Sequence, residues 1–300
     1  MDLFVARVFD GLGNGVIYAF LALALVCVYR ASKHLNFAQG EMAMFCAFLA
    51  YSLTRIGIPV IGAIAITAVF GFLAGAALER TLIRPLGGTD HYSYLLVTIG
   101  LFLALNSLAG TIWLARRGGD ALPFPDVVPS GPDDYVSVFG ERLRYQPLLT
   151  MIILGVVVGL VYVLFRFTKL GLAMRTAASN PESARLLGIR VNRINSLGWA
   201  MGAAVGGLLG PLVAPSTTLT TAMMFPFIIY AVAAATLGGT DSPGGAVLAG
   251  LLIGVIENLI ASYLSFVGSD LKQAVALVLL LVVLMVRPSG LFGSKRVERA

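Results

Sequence analysis

The stretch GLGNGVIYAFLALALVCVY, from Gly11 to Tyr29, contains no Asp, Glu, Lys, Arg or His. As a helix rising about 1.5 Å per residue it is roughly 28 Å long, close to the roughly 30 Å hydrocarbon core of a bilayer. Eight further apolar stretches follow, near 37–54, 57–79, 92–115, 147–167, 196–214, 222–238, 242–265 and 270–287. The expected fold is an all-α polytopic membrane protein with eight to nine transmembrane helices. The 222–238 stretch is the weakest candidate, because it is short, contains Pro226 and ends in Gly238 and Gly239. It is either a ninth crossing or a broken, re-entrant segment that leaves eight. The first stretch follows Asp2, Arg7 and Asp10 rather than a basic leader, and no small-residue cleavage site comes after it, so it reads as an uncleaved span.

Composition agrees with this reading and removes other classes. Of 300 residues 58% are apolar and 12% charged, about half the charge share of a soluble domain. A soluble enzyme, a disordered chain and a disulfide scaffold are all excluded. The two cysteines, Cys27 and Cys46, lie in apolar runs and read as buried thiols. The formal charge of +6 sits in the connecting loops and forms no stripe suited to nucleic acid. Glycine recurs at i, i+4 in Gly11/Gly15, Gly71/Gly75, Gly155/Gly159, Gly202/Gly206/Gly210 and Gly250/Gly254, the spacing that brings helix backbones together within a bundle or across a dimer.

Charge also orients the spans. Loop 168–195 carries Lys169, Arg175, Arg185, Arg190 and Arg193 against Glu182, and the positive-inside rule places it in the cytoplasm. Loop 116–146 mixes four arginines with Asp120, Asp126, Asp133, Asp134 and Glu141 and holds four prolines, so it reads as an irregular external loop. Arg30 with Lys33, and the tail with Arg287, Lys295, Arg296 and Arg299, read as internal. Nine crossings with an external N-terminus satisfy all four placements.

Within loop 168–195 the sequence specifies both ends of a short helix. Asn180 can cap it, Pro181 suits its first position, Glu182 and Arg185 suit its dipole, and Gly188 can take the left-handed closing conformation. Such a short helix must dock to persist. Ala184, Leu187 and Ile189 offer the apolar strip, either for this protein's own membrane surface or for a partner.

Ionisable and amide groups within spans are functional candidates because hydrocarbon penalises them. Asn36 and Gln39 have capping-box spacing at the start of the second span, with Glu41 one turn on. They mark either part of a substrate path or a capped helix start at the interface. Glu257 and Asn258 lie deep in the 242–265 stretch, as pathway lining or as groups held by a neighbouring helix. Asn14 and Asn106 read as partners in interhelical hydrogen bonds. His34 and His91 have no ligand partners at useful spacing, so no metal site and no cofactor are expected. In 238–245, Ser242 and Pro243 read as the cap and first position of the next helix.

The segments Gly171–Arg175 and Asn180–Ile189, with Leu35–Glu41, Thr98–Leu101 and Leu237–Ala246, resemble in order and spacing the permease subunits of branched-chain amino-acid ABC importers. The short stretch before Asn36 is similar to the first of the two permease types in these systems, while Thr240-Asp241-Ser242 is more polar than the family pattern. The resemblance implies one permease domain over 1–300, multi-pass in a bacterial cytoplasmic (inner) membrane and in contact with lipid. It also implies a second permease subunit in a heterodimer, separate cytoplasmic ATPases and an external substrate-binding protein. No Gly-x-x-x-x-Gly-Lys-Ser/Thr phosphate loop occurs, so nucleotide hydrolysis belongs to another subunit. The helix around Asn180, Pro181, Glu182, Ala184, Arg185, Leu186, Leu187 and Gly188 then becomes an ATPase-coupling helix. In that expectation Glu182 and Arg185 face the ATPase while Leu186 and Leu187 anchor the helix. Asn14, Asn36, Gln39, Glu41, Asn106, Glu257 and Asn258 are the candidate pathway residues. The substrate could be a branched-chain amino acid, another amino acid, an amide or urea. The competing classes are an ion-coupled secondary transporter, which ordinarily carries more intramembrane carboxylates, and an intramembrane enzyme, which needs a nucleophile or metal motif that the sequence lacks.

Overall fold

The computed structural model describes residues 2–86, 91–115, 121–129, 131, 134–138, 141–263, 271–286 and 290–293. Every expected apolar stretch carries a helix. In chain order these are α1 (Asp2–Ser32), α2 (Gln39–Arg55), α3 (Val60–Leu78) and α4 (His91–Ala109), then α5 (Tyr145–Phe167), α6 (Lys169–Ser179), α7 (Pro181–Leu186) and α8 (Val191–Thr217), then α9 (Phe225–Gly238), α10 (Pro243–Tyr263) and α11 (Lys272–Val286). Among the described residues six helices are long and apolar enough to cross a membrane: α1, α3, α4, α5, α8 and α10, with α3 and α4 each continuing through a π turn. The protein is an all-α polytopic membrane protein.

α1 is the axis of the bundle. Phe20 to Val28 is fully buried in it, sheathed by α10, α8 and α9. Lipid tails are as apolar as leucine, so close backbone packing rather than exclusion of water holds these helices together. The glycines supply that approach. A Cβ on Gly11 would stand 2.7 Å from Val255 Cα, one on Gly250 2.6 Å from Ala19 Cα, and one on Gly75 2.5 Å from the Trp199 carbonyl oxygen. Gly206 faces Gln39 and Ala43 of α2, and a side chain at Gly210 would strike the Ala43 carbonyl. Four of the five expected glycine pairs or triplets therefore form seams inside the chain. Gly155 and Gly159 do not: nothing lies within 4 Å of where their side chains would be.

α8 contains Pro211 and Pro215, and a proline leaves the carbonyl four residues earlier without its helical donor. At Gly207 that carbonyl lies 3.1 Å from the Thr67 hydroxyl of α3, which also reaches the Ala63 and Ile64 carbonyls of its own helix at 2.9 Å. In hydrocarbon a freed backbone group needs such a partner. The polar side chain thus ties α3 to α8 at the point where Gly207 lets the two backbones meet.

α9 covers most of the weak 222–238 stretch. Its 14 residues span only about 21 Å, short of the bilayer core. Residues 218–224 lead into it without regular helix; Thr218 has φ +63°, and Leu219 and Met224 are fully buried. α9 is a helix that starts inside the bundle behind an irregular return segment.

The loop between α4 and α5 was expected to be irregular, yet it contains an antiparallel hairpin. β1 (Tyr135–Val138) pairs with β2 (Glu141–Arg144), Tyr135 opposite Arg144 and Val138 opposite Glu141. Two four-residue strands are too short for a clear alternating signal among the prolines. Leu122 and Leu219 exchange backbone hydrogen bonds, which pins this loop to the return segment after α8. Arg116, Arg117, Asp120, Asp133, Arg287, Lys295, Arg296 and Arg299, which helped to orient the chain, lie outside the described residues.

Candidate functional site

Four of the sequence-selected polar residues converge where α2 begins. Asn36 is buried; its Oδ1 accepts from the Ala38 amide at 3.0 Å and its Nδ2 donates to Gln39 Oε1 at 3.2 Å. Gln39 Nε2 then donates to the Gly202 carbonyl of α8 at 2.8 Å. The capping-box expectation is corrected: Ala38 is the cap residue of α2 and no side chain caps it. The Gln39 amide is diverted because Gly202 exposes backbone polarity at a helix crossing, and that partner is distant in sequence. Glu41, 1% exposed, accepts from Asn106 Nδ2 of α4 at 3.3 Å, and the same amide group donates to the Thr221 carbonyl at 2.9 Å. Asn106 thus satisfies backbone in the return segment before α9 and links it to α2 and α4.

Glu257, 4% exposed, is held from two sides. Tyr18 of α1 donates to one carboxyl oxygen at 3.0 Å and Tyr230 of α9 to the other at 3.2 Å, with the two rings stacked 4.3 Å apart. Buried phenols seek such a partner. These are bonds to neighbouring helices of the kind that one of the two readings of Glu257 expects. Asn258 Nδ2 donates to the Arg7 carbonyl at 2.7 Å, tying α10 to the start of α1. Asn14 was expected to bond between helices but is exposed, lining a cavity of about 560 Å³ with Asp10, Asp126, Arg144 and Gln146. Residues of α5 and α8 form the other walls of that cavity.

Two pairs escaped the sequence reading. Arg84 Nη2 donates to buried Glu79 at 2.9 Å and to Ser196 Oγ at 2.7 Å, and Ser196 also meets the Glu79 carboxylate. This locks the end of α3 to the start of α8. Lys33, just past α1, meets Asp241 at 2.7 Å. Asp241 belongs to the turn whose polarity departs from the family pattern, and this partner accounts for it. Around that turn Gly239, at φ +97°, lies against the backbone of Gly293, and Ser242 caps α10 through the Gly245 amide at 3.1 Å. Close packing accounts for Gly238, Gly239 and Gly245 in this turn.

The loop after α5 folds as its residues dictate. Thr168 caps α6 by accepting from the Gly171 amide at 3.0 Å, and Gly171, Met174 and Ala177 face inward. Asn180 Oδ1 accepts from the amides of Glu182 and Ser183, both at 3.0 Å, and Pro181 opens α7. Gly188 closes it at φ +79°: its amide bonds to the Arg185 carbonyl at 3.0 Å and that of Ile189 to the Ala184 carbonyl at 2.9 Å. This double closure is a Schellman motif, whose apolar contact joins the residues in the places of Ala184 and Ile189. Ala184 is accordingly buried. Leu186 and Leu187 are 89% and 73% exposed, which overturns their expected role as anchors. The closing turn swings Ile189, rather than Leu187, back against the core.

A bundle of apolar helices with glycine seams, buried carboxylates held by hydrogen bonds and a short, exposed, capped helix is that of a multi-pass membrane protein. The chain belongs to the branched-chain amino acid transport system permease component family, whose model matches residues 7–284. It is 29% identical to the high-affinity branched-chain amino acid transport system permease protein BraD of Pseudomonas aeruginosa, over 99% of this chain and 98% of that one. It is 27% identical to LivH of Escherichia coli, over 99% and 97%, and to the probable LivH of Methanocaldococcus jannaschii, over 91% and 87%. In fold it is similar to PsaBC from Streptococcus pneumoniae, solved with a Fab, at a TM-score of 0.50 and 15% identity over 93% of this chain and 91% of that one. The protein is therefore a membrane subunit of an ABC importer, multi-pass in the inner membrane, and not an enzyme. ATPase and binding-protein partners follow from that membership, and an ion-coupled secondary transporter is not favoured.

Proposed function

We propose that the chain forms one half of the translocation path of an ATP-driven, binding-protein-dependent importer of branched-chain or related amino acids, paired with a different permease subunit. The relatives' names support the substrate class. Loop 168–195 is cytoplasmic and loop 116–146 external, where the binding protein lands. The chain threads the membrane nine times from an external N-terminus, with the return segment and α9 together making one pass.

The observation that carries this reading is the exposed face of α7. The helix is fixed at both ends and docked through Ala184, yet presents Glu182, Arg185, Leu186 and Leu187 outward. Two exposed leucines beside a charged pair suit insertion into a protein cleft and are costly facing water. Closure of the ATPase dimer pushes α7, α6 passes the motion to α5 and α8, and the network at Asn36, Gln39, Glu41 and Asn106 opens or closes around the start of α9. Reconstitution with the ATPases, the second permease and the binding protein tests this. Arg185→Glu and Leu186→Asp should each abolish ATP-dependent uptake while the chain still folds, and uptake that persists in both variants removes α7 from the mechanism.

A further inference from the structure

The end of the bundle that carries α6 and α7 also holds a cavity of about 820 Å³ between α1, α5, α6 and the start of α10. The transport reading makes no use of it. Among the described residues its charged lining is Arg30, Lys33, Arg166 and Arg175 against the carboxylate of Asp241, which Lys33 engages. An excess of three positive charges in a concave site calls for an anion. Arg30 is held 4.2 Å above the Phe165 ring.

One wall of the same cavity is the face of α5 that carries Tyr162 and Arg166. Gly155, Gly159, Tyr162 and Arg166 recur at spacings of four, three and four, which places them on one helix face. At Gly155 and Gly159 that face is bare, flanked by the exposed side chains of Ile152 and Val156. Tyr162 and Phe167 are more than half exposed near the end of α5, as aromatic residues are at headgroup level. A bare, mostly apolar face of α5 therefore runs on from the wall of a cationic cavity.

We propose that this cavity binds the phosphodiester headgroup of an anionic glycerophospholipid, one acyl chain of which lies along the Gly155–Gly159 stripe. Basic pockets between membrane helices recognise lipid headgroups in this way. The leaflet rests on the inward placement of α7 proposed above, whereas the contact itself does not.

The test uses the full-length permease with its co-purifying subunits, delipidated in mild detergent and followed by native mass spectrometry. Dioleoyl phosphatidylglycerol should be retained about tenfold more tightly than phosphatidylcholine of the same chains, and Arg166→Gln with Arg175→Gln should remove most of that preference. Arg166→Lys with Arg175→Lys should keep it, since lysine retains the positive charge that glutamine removes and both positions are exposed. Equal retention of the two lipids, an unaltered preference in the double glutamine variant, or displacement of phosphatidylglycerol by millimolar inorganic phosphate would each overturn the proposal. Because binding is read in detergent, its failure is independent of which way α7 faces.

Discussion

Tyr18 and Glu257 stand 239 residues apart in the chain, and the phenol of one donates to the carboxyl of the other at 3.0 Å across the glycine seam between α1 and α10. Tyr230 completes the clasp from α9 at 3.2 Å. A helix that begins inside the bundle is thereby fastened to the two helices beside it. Tyr18→Phe and Tyr230→Phe should each lower stability by about 1 kcal/mol. Because both phenols serve one carboxyl, the double variant should depart from additivity, which thermal unfolding of the detergent-purified protein will measure.

Glycine substitutions should divide sharply by position. Gly210→Val, which drives a side chain into the Ala43 carbonyl, should abolish accumulation of folded protein. Gly155→Ala, with open space around it, should stay within about 0.5 kcal/mol of the parent. Size-exclusion profiles and thermal unfolding distinguish the two.

The Thr67 hydroxyl is in reach of the Gly207 carbonyl that Pro211 leaves without a donor, and shares its proton with the Ala63 and Ile64 carbonyls. Thr67→Val keeps the shape and removes the donor, so it should cost about 1–3 kcal/mol by stranding the Gly207 carbonyl. Thr67→Ser should cost less, as thermal unfolding will register.

Asn106 serves both Glu41 and the Thr221 carbonyl. Asn106→Leu should leave both unsatisfied, lower stability by about 1–3 kcal/mol and reduce reconstituted uptake more than Asn106→Gln does. Equal uptake by the two variants would separate this contact from transport.

The sequence was most legible where structure is local. Asn180, Pro181 and Gly188 define α7 because caps and closures depend on neighbours a few residues away. The i, i+4 glycines announced seams but not which would find a partner, since Gly155 and Gly159 carry the same spacing on a bare face. Distant pairs were not legible: nothing near Gln39 points to the Gly202 carbonyl, and nothing near Asp241 points to Lys33. Leu187 was misplaced for a different reason. Helical periodicity puts it on the face of Ala184, but the helix has already ended there, and the closing turn gives the inward position to Ile189.

The central claim is that α7 faces the cytoplasm and is gripped by the ATPase. The native thiols Cys27 and Cys46 are buried, so Leu186→Cys supplies a single accessible one. A membrane-impermeant maleimide should label it in inside-out vesicles, not in right-side-out ones, and bound ATPase should protect it. Labelling in right-side-out vesicles, or full labelling with the ATPase bound, would contradict the account.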